Sequence, residues 1–177
     1  MVFYINKTII KIEYSFFLII AFSLLLGNKN ILFLILFSAL HELGHLLVLL
    51  LCGGQPSKLT VSFYGIGLKH EFEFPPIKEI LFLLAGAFVN ILFCLLGIKT
   101  EINFPLAVIN LLPLYPLDGG RVLKIILNNF NFSEKVFKAV TIIFVIILIA
   151  FSVYRKNVSL ILISVYIIVF SLNNSFD

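Results

Sequence analysis

His41-Glu42-Leu43-Gly44-His45 carries the densest chemistry in this chain: two imidazoles four residues apart, with a carboxylate next to the first. On a helix turning about 100° per residue, positions four apart project from one face, so both rings reach one cation. Two neutral His ligands, a carboxylate ligand from elsewhere and one open position make the usual catalytic zinc arrangement. Such a cation acidifies a water. Glu42, not itself a ligand, is suited to take that proton as the oxygen attacks a carbonyl, and to return it to a leaving amine. The bland alternative is a chance spacing on a helix. The setting argues against it, because the motif lies inside the apolar run 31–51. An ionisable side chain at mid-membrane costs roughly 2.5 kcal/mol or more and marks a functional site by default.

Of the nine acidic residues, only Glu42 and Asp118 fall well inside apolar runs. Asp118 belongs to Asn110-Leu111-Leu112-Pro113-Leu114-Tyr115-Pro116-Leu117-Asp118-Gly119-Gly120-Arg121. Two prolines and two glycines there cannot sit in an unbroken helix. Broken helices at membrane depth are tolerated where protein covers them or where they line a wet cavity, which suits a metal site. Asp118 is therefore the natural third ligand; the alternative is an ion pair with Arg121 at a helix end. Asn110 either satisfies backbone groups freed near Pro113 or holds a substrate carbonyl or oxyanion. Gly86 and Asn90, four apart, put a close helix approach and a polar group on one face. They serve either core packing or the binding of an unwound peptide.

Those side chains must be positioned by apolar elements. The chain has 177 residues, 61% hydrophobic and 12% charged, with a mean hydropathy of +1.14. No soluble core buries so much apolar side chain, so the expected class is an all-α polytopic membrane protein. Six apolar segments are expected, at about 12–26, 31–51, 79–97, 103–127, 136–154 and 157–172, in a single domain spanning 1–177. Met1 to Tyr14 precedes the first run, which lacks a small-residue cleavage site after Leu26 and reads as a retained span.

With six spans both termini share a side, and the 13 Lys and Arg residues divide nine on the terminal side to four on the other. The positive-inside rule then puts both termini in the cytoplasm of a multi-pass cell-membrane protein. The net charge of +4 is scattered between apolar runs instead of forming a stripe, which argues against nucleic acid. Cys52 and Cys94 have no CxxC spacing; a disulfide is unsupported and neither is a strong zinc ligand.

Between the second and third segments, residues 58–74 alternate in part and are broken by Gly65-Ile66-Gly67, the pattern of a short β-hairpin at the membrane surface. Gly65 and its neighbours would present a strand edge to an extended substrate; the alternative is a plain connecting loop. His70, flanked by Lys69, Glu71 and Glu73, reads as a solvated loop residue.

His41-Glu42-Leu43-Gly44-His45, followed by Asn110-x-x-Pro113 and Leu117-Asp118-Gly119, resembles the site-2 protease family of intramembrane zinc metalloproteases. The resemblance covers most of the chain. It implies Zn2+ held by His41, His45 and Asp118, with Glu42 as catalytic base and Asn90 and Asn110 near bound substrate. The implied partners are a membrane-associated protein substrate and membrane-embedded inhibitory or regulatory proteins. Six spans with cytoplasmic ends are similar to the subgroup containing stage IV sporulation protein FB, which implies a sporulation sigma-factor precursor as substrate. Two departures stand out: a C-terminal CBS domain is not expected after the last segment, and Gly86-Ala87 stands where the family usually has Gly-Pro. A rival enzyme, the prenyl-protein processing type, needs a downstream Glu ligand that no later span offers. The alternative from another class is a metal-ion transporter using His41, Glu42, His45 and Asp118 as a cation relay.

Overall fold

The computed structural model describes residues 1–5, 8–27, 29–62, 65–114, 117–129 and 134–154, with six helices and four strands among them. The chain divides into two compact units, Met1–Val108 and Ile109–Asp177.

The first unit holds a four-stranded sheet, two strands more than the hairpin expected between the second and third segments of a mostly helical chain. Strands β1 (Val2–Ile5) and β2 (Thr8–Ile12) form an antiparallel pair in the register Val2↔Lys11 to Ile5↔Thr8. Strand β2 then lies parallel to β3 (Pro56–Ser62), with Ile9 opposite Lys58 and Ile12 opposite Val61. β-Branched and aromatic residues dominate both N-terminal strands, as strands prefer. Strand β4 (Gly65–His70) pairs back on β3, so the expected hairpin is present and β4 ends the order β1-β2-β3-β4.

Parallel strands need a crossover, and here helices α1 (Tyr14–Leu25) and α2 (Lys29–Leu51) supply it between β2 and β3. The Glu13 amide donates to the Val61 carbonyl at 2.9 Å, tying the start of α1 to the sheet. Helix α3 (Pro76–Leu95) begins at Pro76, just after its cap Pro75, where proline's fixed φ suits a first turn and its missing N–H costs nothing. Helix α4 (Thr100–Leu111) follows a short turn.

Two helices among the described residues are long and apolar enough to cross a membrane, α2 with 23 residues and α3 with 20. At 1.5 Å per residue these reach about 30–35 Å, against a hydrocarbon core of about 30 Å. Only 28% of either apolar window is buried. Leu36, Leu43, Leu47, Leu50, Phe88, Leu92 and Leu95 stay exposed, an apolar exterior that suits lipid rather than water. Helix α1 has 12 residues, about 18 Å, too short to span alone.

In the second unit the expected 103–127 segment is not continuous. Helix α4 stops at Leu111, and α5 (Asp118–Asn129) starts at Asp118. Pro113 and Pro116 lack the N–H groups that would carry the helix through. Instead the Leu114 amide donates to Leu112 O at 2.7 Å and Leu117 to Leu114 O at 2.8 Å. Leu114 is fully buried and packs with Val145 of α6 (Glu134–Tyr154) among Leu112, Leu117, Phe144 and Ile149. The expected last segment, 157–172, lies outside the described residues.

Candidate metal centre

On α2 the buried residues are Phe37, His41, Gly44, His45 and Leu49, one stripe at helical spacing. On α3 they are Phe82, Leu83, Gly86, Ala87 and Asn90. The two stripes face each other. A Cβ at Gly44 would meet the Ala85 carbonyl oxygen at 2.8 Å, so α3 passes where only glycine leaves room. The T-shaped pair Phe37–Phe93, with centroids 5.2 Å apart, closes one end of this contact.

Within it, His41 and His45 are each 4% exposed. Their Nε2 atoms stand 3.2 Å apart. Zinc bound tetrahedrally at about 2.0–2.1 Å from each nitrogen separates its ligand atoms by about 3.3–3.4 Å, so the observed spacing suits two ligands of one ion. The Nδ1–H of His45 donates to the Phe82 carbonyl at 2.7 Å. A carbonyl accepts only, so His45 carries its proton on Nδ1 and leaves the Nε2 lone pair for a metal. On His41, Nδ1 lies 3.2 Å from the Asn90 amide. A carboxylate oxygen of Glu42, which is half-buried, completes the group: one donor atom from each of the three residues falls within 4.8 Å of the others.

Gly86 explains how the centre has room. A Cβ there would sit 2.5 Å from both His41 Nε2 and His45 Nε2. The missing side chain leaves room beside the two Nε2 atoms, and the donor set fits zinc.

Gly86, expected beside a bound peptide, thus lies against the imidazoles. Asn90, for which packing or peptide binding was expected, is 0% exposed and touches His41. Gly65 opens β4 opposite Ser62 in the same unit. Asn110 lies one residue before the end of α4 and Asp118 opens α5; both are half-buried members of the second unit. A Cβ at Gly119 would collide with the Leu111 carbonyl and lie 2.7 Å from Leu112 O, so this glycine lets α5 start hard against the end of α4 and fixes Asp118 in the first turn. Cys52 and Cys94 are free thiols.

His70 is not a solvated loop residue. It ends β4, half-buried, with its ring edge-on to Phe82 at 4.8 Å and to Phe74 at 5.3 Å. Phe82 also contacts the His45 ring at 5.2 Å, so an aromatic cluster backs the candidate ligands. Phe82, Gly44 and Gly119 are positioning residues that sequence reasoning missed. The carbonyl of Phe82 has no sequence signal, whereas Gly44 shares the helical stripe of His41 and His45 and was open to detection.

The sequence profile of peptidase family M50 matches residues 92–151, the stretch containing Asn110 and Asp118. A zinc metalloprotease of Methanocaldococcus jannaschii is 27% identical over 185 residues, covering 89% of this chain and 54% of that protein. The chain therefore spans about half the length of that relative. The solved structure of a site-2 protease from Methanocaldococcus jannaschii superposes with a TM-score of 0.65 at 25% identity, covering 100% of this chain and 95% of that one. The fold is that of a site-2 protease, the chain is a homologue of a zinc metalloprotease, and its own His41, Glu42 and His45 fit a zinc site. These similarities are to proteases and lend the transporter alternative no support.

Proposed function

We propose that this chain, a zinc-metalloprotease homologue with a peptidase family M50 segment, is an intramembrane endopeptidase that hydrolyses a peptide bond in or near the membrane segment of a membrane-associated precursor. The observation that carries the reading is the convergence of two buried imidazole nitrogens at 3.2 Å, beside Glu42, on a helix long and apolar enough to cross a membrane.

His41 and His45 hold the metal through Nε2. Asp118 is our third ligand: it is the one acidic residue besides Glu42 well inside an apolar run, and Gly119 fixes it in the first turn of α5. When bound, zinc supplies Lewis acidity, lowering the pKa of water and polarising the scissile carbonyl. Glu42 takes a proton from the attacking water and returns it to the leaving amine. A helical substrate shields its carbonyls, so the peptide must be extended before it is cut. The edge strand β4, beginning at Gly65, holds it by main-chain pairing. Among the described residues nothing lies within 4 Å of a Cβ built at Gly67, so the sheet face there has room for a substrate side chain. Asn110, half-buried at the end of α4, is placed by its chemistry to donate to the developing oxyanion. The bias of Lys and Arg supports cytoplasmic termini.

The test is Glu42→Gln. The variant should bind zinc like wild type and lose about 10²–10⁴-fold in cleavage. The substrates are a panel of single-span precursors that includes a sporulation sigma-factor precursor, the specific candidate the sequence resemblance offers. Full cleavage by Glu42→Gln removes Glu42 from the mechanism.

A further inference from the structure

Among the described residues, the Asn90 amide is the polar side chain beside the candidate ligands whose buried oxygen has no hydrogen-bond partner. Asn90 is 0% exposed, its nitrogen is placed 3.2 Å from His41 Nδ1, and its Oδ1 is sealed without a donor. We propose that Asn90 is a positioning residue for the metal: its amide oxygen accepts the Nδ1 proton of His41 when a cation occupies Nε2. The proposal rests on the zinc reading above.

Proton accounting supports it. His45 Nδ1–H is committed to the Phe82 carbonyl at 2.7 Å, so His45 Nε2 is bare. His41 Nε2 faces it at 3.2 Å, and two bare lone pairs at that distance repel unless a proton or a cation lies between them. Two arrangements fit these distances. In the first, His41 Nε2–H donates to His45 Nε2, His41 Nδ1 is bare, and the Asn90 NH2 group donates to it. That arrangement leaves Asn90 Oδ1 without a partner, and the second leaves the amide nitrogen in the same sealed position, so desolvation does not choose between them and the cation does. In the second, a cation takes both Nε2 lone pairs, the single ring proton of His41 resides on Nδ1, and the amide presents Oδ1 to it. The nitrogen and oxygen of an Asn amide are nearly isosteric, so a half-turn about the Cβ–Cγ bond exchanges one arrangement for the other without moving α3. No proton is gained or lost: one ring N–H shifts from Nε2 to Nδ1. A ligating histidine almost always donates its other N–H to an acceptor, and Phe82 O already does this for His45. Asn90 Oδ1 does it for His41.

The experiment compares Asn90→Asp, which can only accept, with Asn90→Leu, which has similar volume and can do neither. Zinc affinity is read by chelator competition on the full chain in detergent. Asn90→Asp should hold zinc at least as tightly as wild type, and Asn90→Leu should lose about 10–100-fold. Wild-type affinity in Asn90→Leu, or equal losses in both variants, overturns the proposal while leaving zinc binding by wild type intact. A second measurement needs no variant. Ring-15N histidine spectra of zinc-loaded wild type should show protonated Nδ1 on both His41 and His45. A bare Nδ1 on His41 in the loaded protein overturns the proposal directly.

Discussion

Gly86→Ala tests the metal centre at its most sensitive point. The added Cβ would lie 2.5 Å from the Nε2 atoms of both His41 and His45. An ordinary non-bonded contact between such atoms is about 3.5 Å, so each ring must retreat by about 1 Å, or α3 must lift away from α2. Either movement exceeds the roughly 0.2 Å that metal-ligand distances tolerate. Overpacking of this kind costs about 1–3 kcal/mol. Placed on the loaded geometry, that is about a 5- to 150-fold loss of zinc affinity. The assay is chelator competition on purified wild type, Gly86→Ala and Gly67→Ala. Gly67 is the control, since a Cβ there meets nothing within 4 Å. Gly67→Ala should match wild type in zinc affinity while Gly86→Ala falls. Wild-type affinity in Gly86→Ala would mean that the two nitrogens do not share an ion beside this glycine.

Three further outcomes follow from the geometry. Gly44→Ala, whose Cβ would sit 2.8 Å from the Ala85 carbonyl, should separate α2 from α3 and destabilise the protein by about 1–3 kcal/mol; thermal unfolding in detergent measures it. Gly119→Ala should push α5 off the end of α4, because its Cβ would collide with the Leu111 carbonyl. Zinc content should then drop, and a fully loaded variant would weaken the case for Asp118 as ligand. The Lys11 ammonium, hydrogen-bonded to Glu13 at 2.8 Å, holds the Glu13 carboxyl below the usual carboxylate range. A lowered carboxylate pKa contributes stability above its unfolded value and loses it as pH falls through the folded one. Lys11→Ala should therefore raise the Glu13 titration midpoint, read by carboxyl 13C shifts, with little effect on stability because the pair is partly open to solvent.

Local periodicity made part of this molecule legible. The spacing of His41 and His45 put both rings on one face, and Gly86 with Asn90 likewise, because helical neighbours four apart need no tertiary information. The break around Pro113 followed from its missing N–H group, and the β3–β4 hairpin from the partial alternation of residues 58–74, although Gly65-Ile66-Gly67, read as the break, lies within β4. Non-local pairing was hidden. Met1 to Ile12 looked like a leader to an apolar run, since the strand that completes its sheet begins at Pro56, and the intervening helical pair masks the connection. His70 was misjudged from its charged sequence neighbours. In an extended chain adjacent residues face opposite sides, so Lys69, Glu71 and Glu73 point outward while His70, Phe72 and Phe74 turn inward. The tautomer of His45 was illegible because it depends on a backbone carbonyl, which every residue has.

The most direct measurement is the metal content of the purified protein set beside its cleavage of a single-span precursor. About one zinc per chain is expected. Activity should vanish on chelation and return on zinc addition, and Asp118→Ala and His45→Ala should lose metal and activity together. Cleavage that persists in a metal-stripped protein, or a wild type that binds no zinc, would contradict the claim that this buried histidine pair is the heart of a protease.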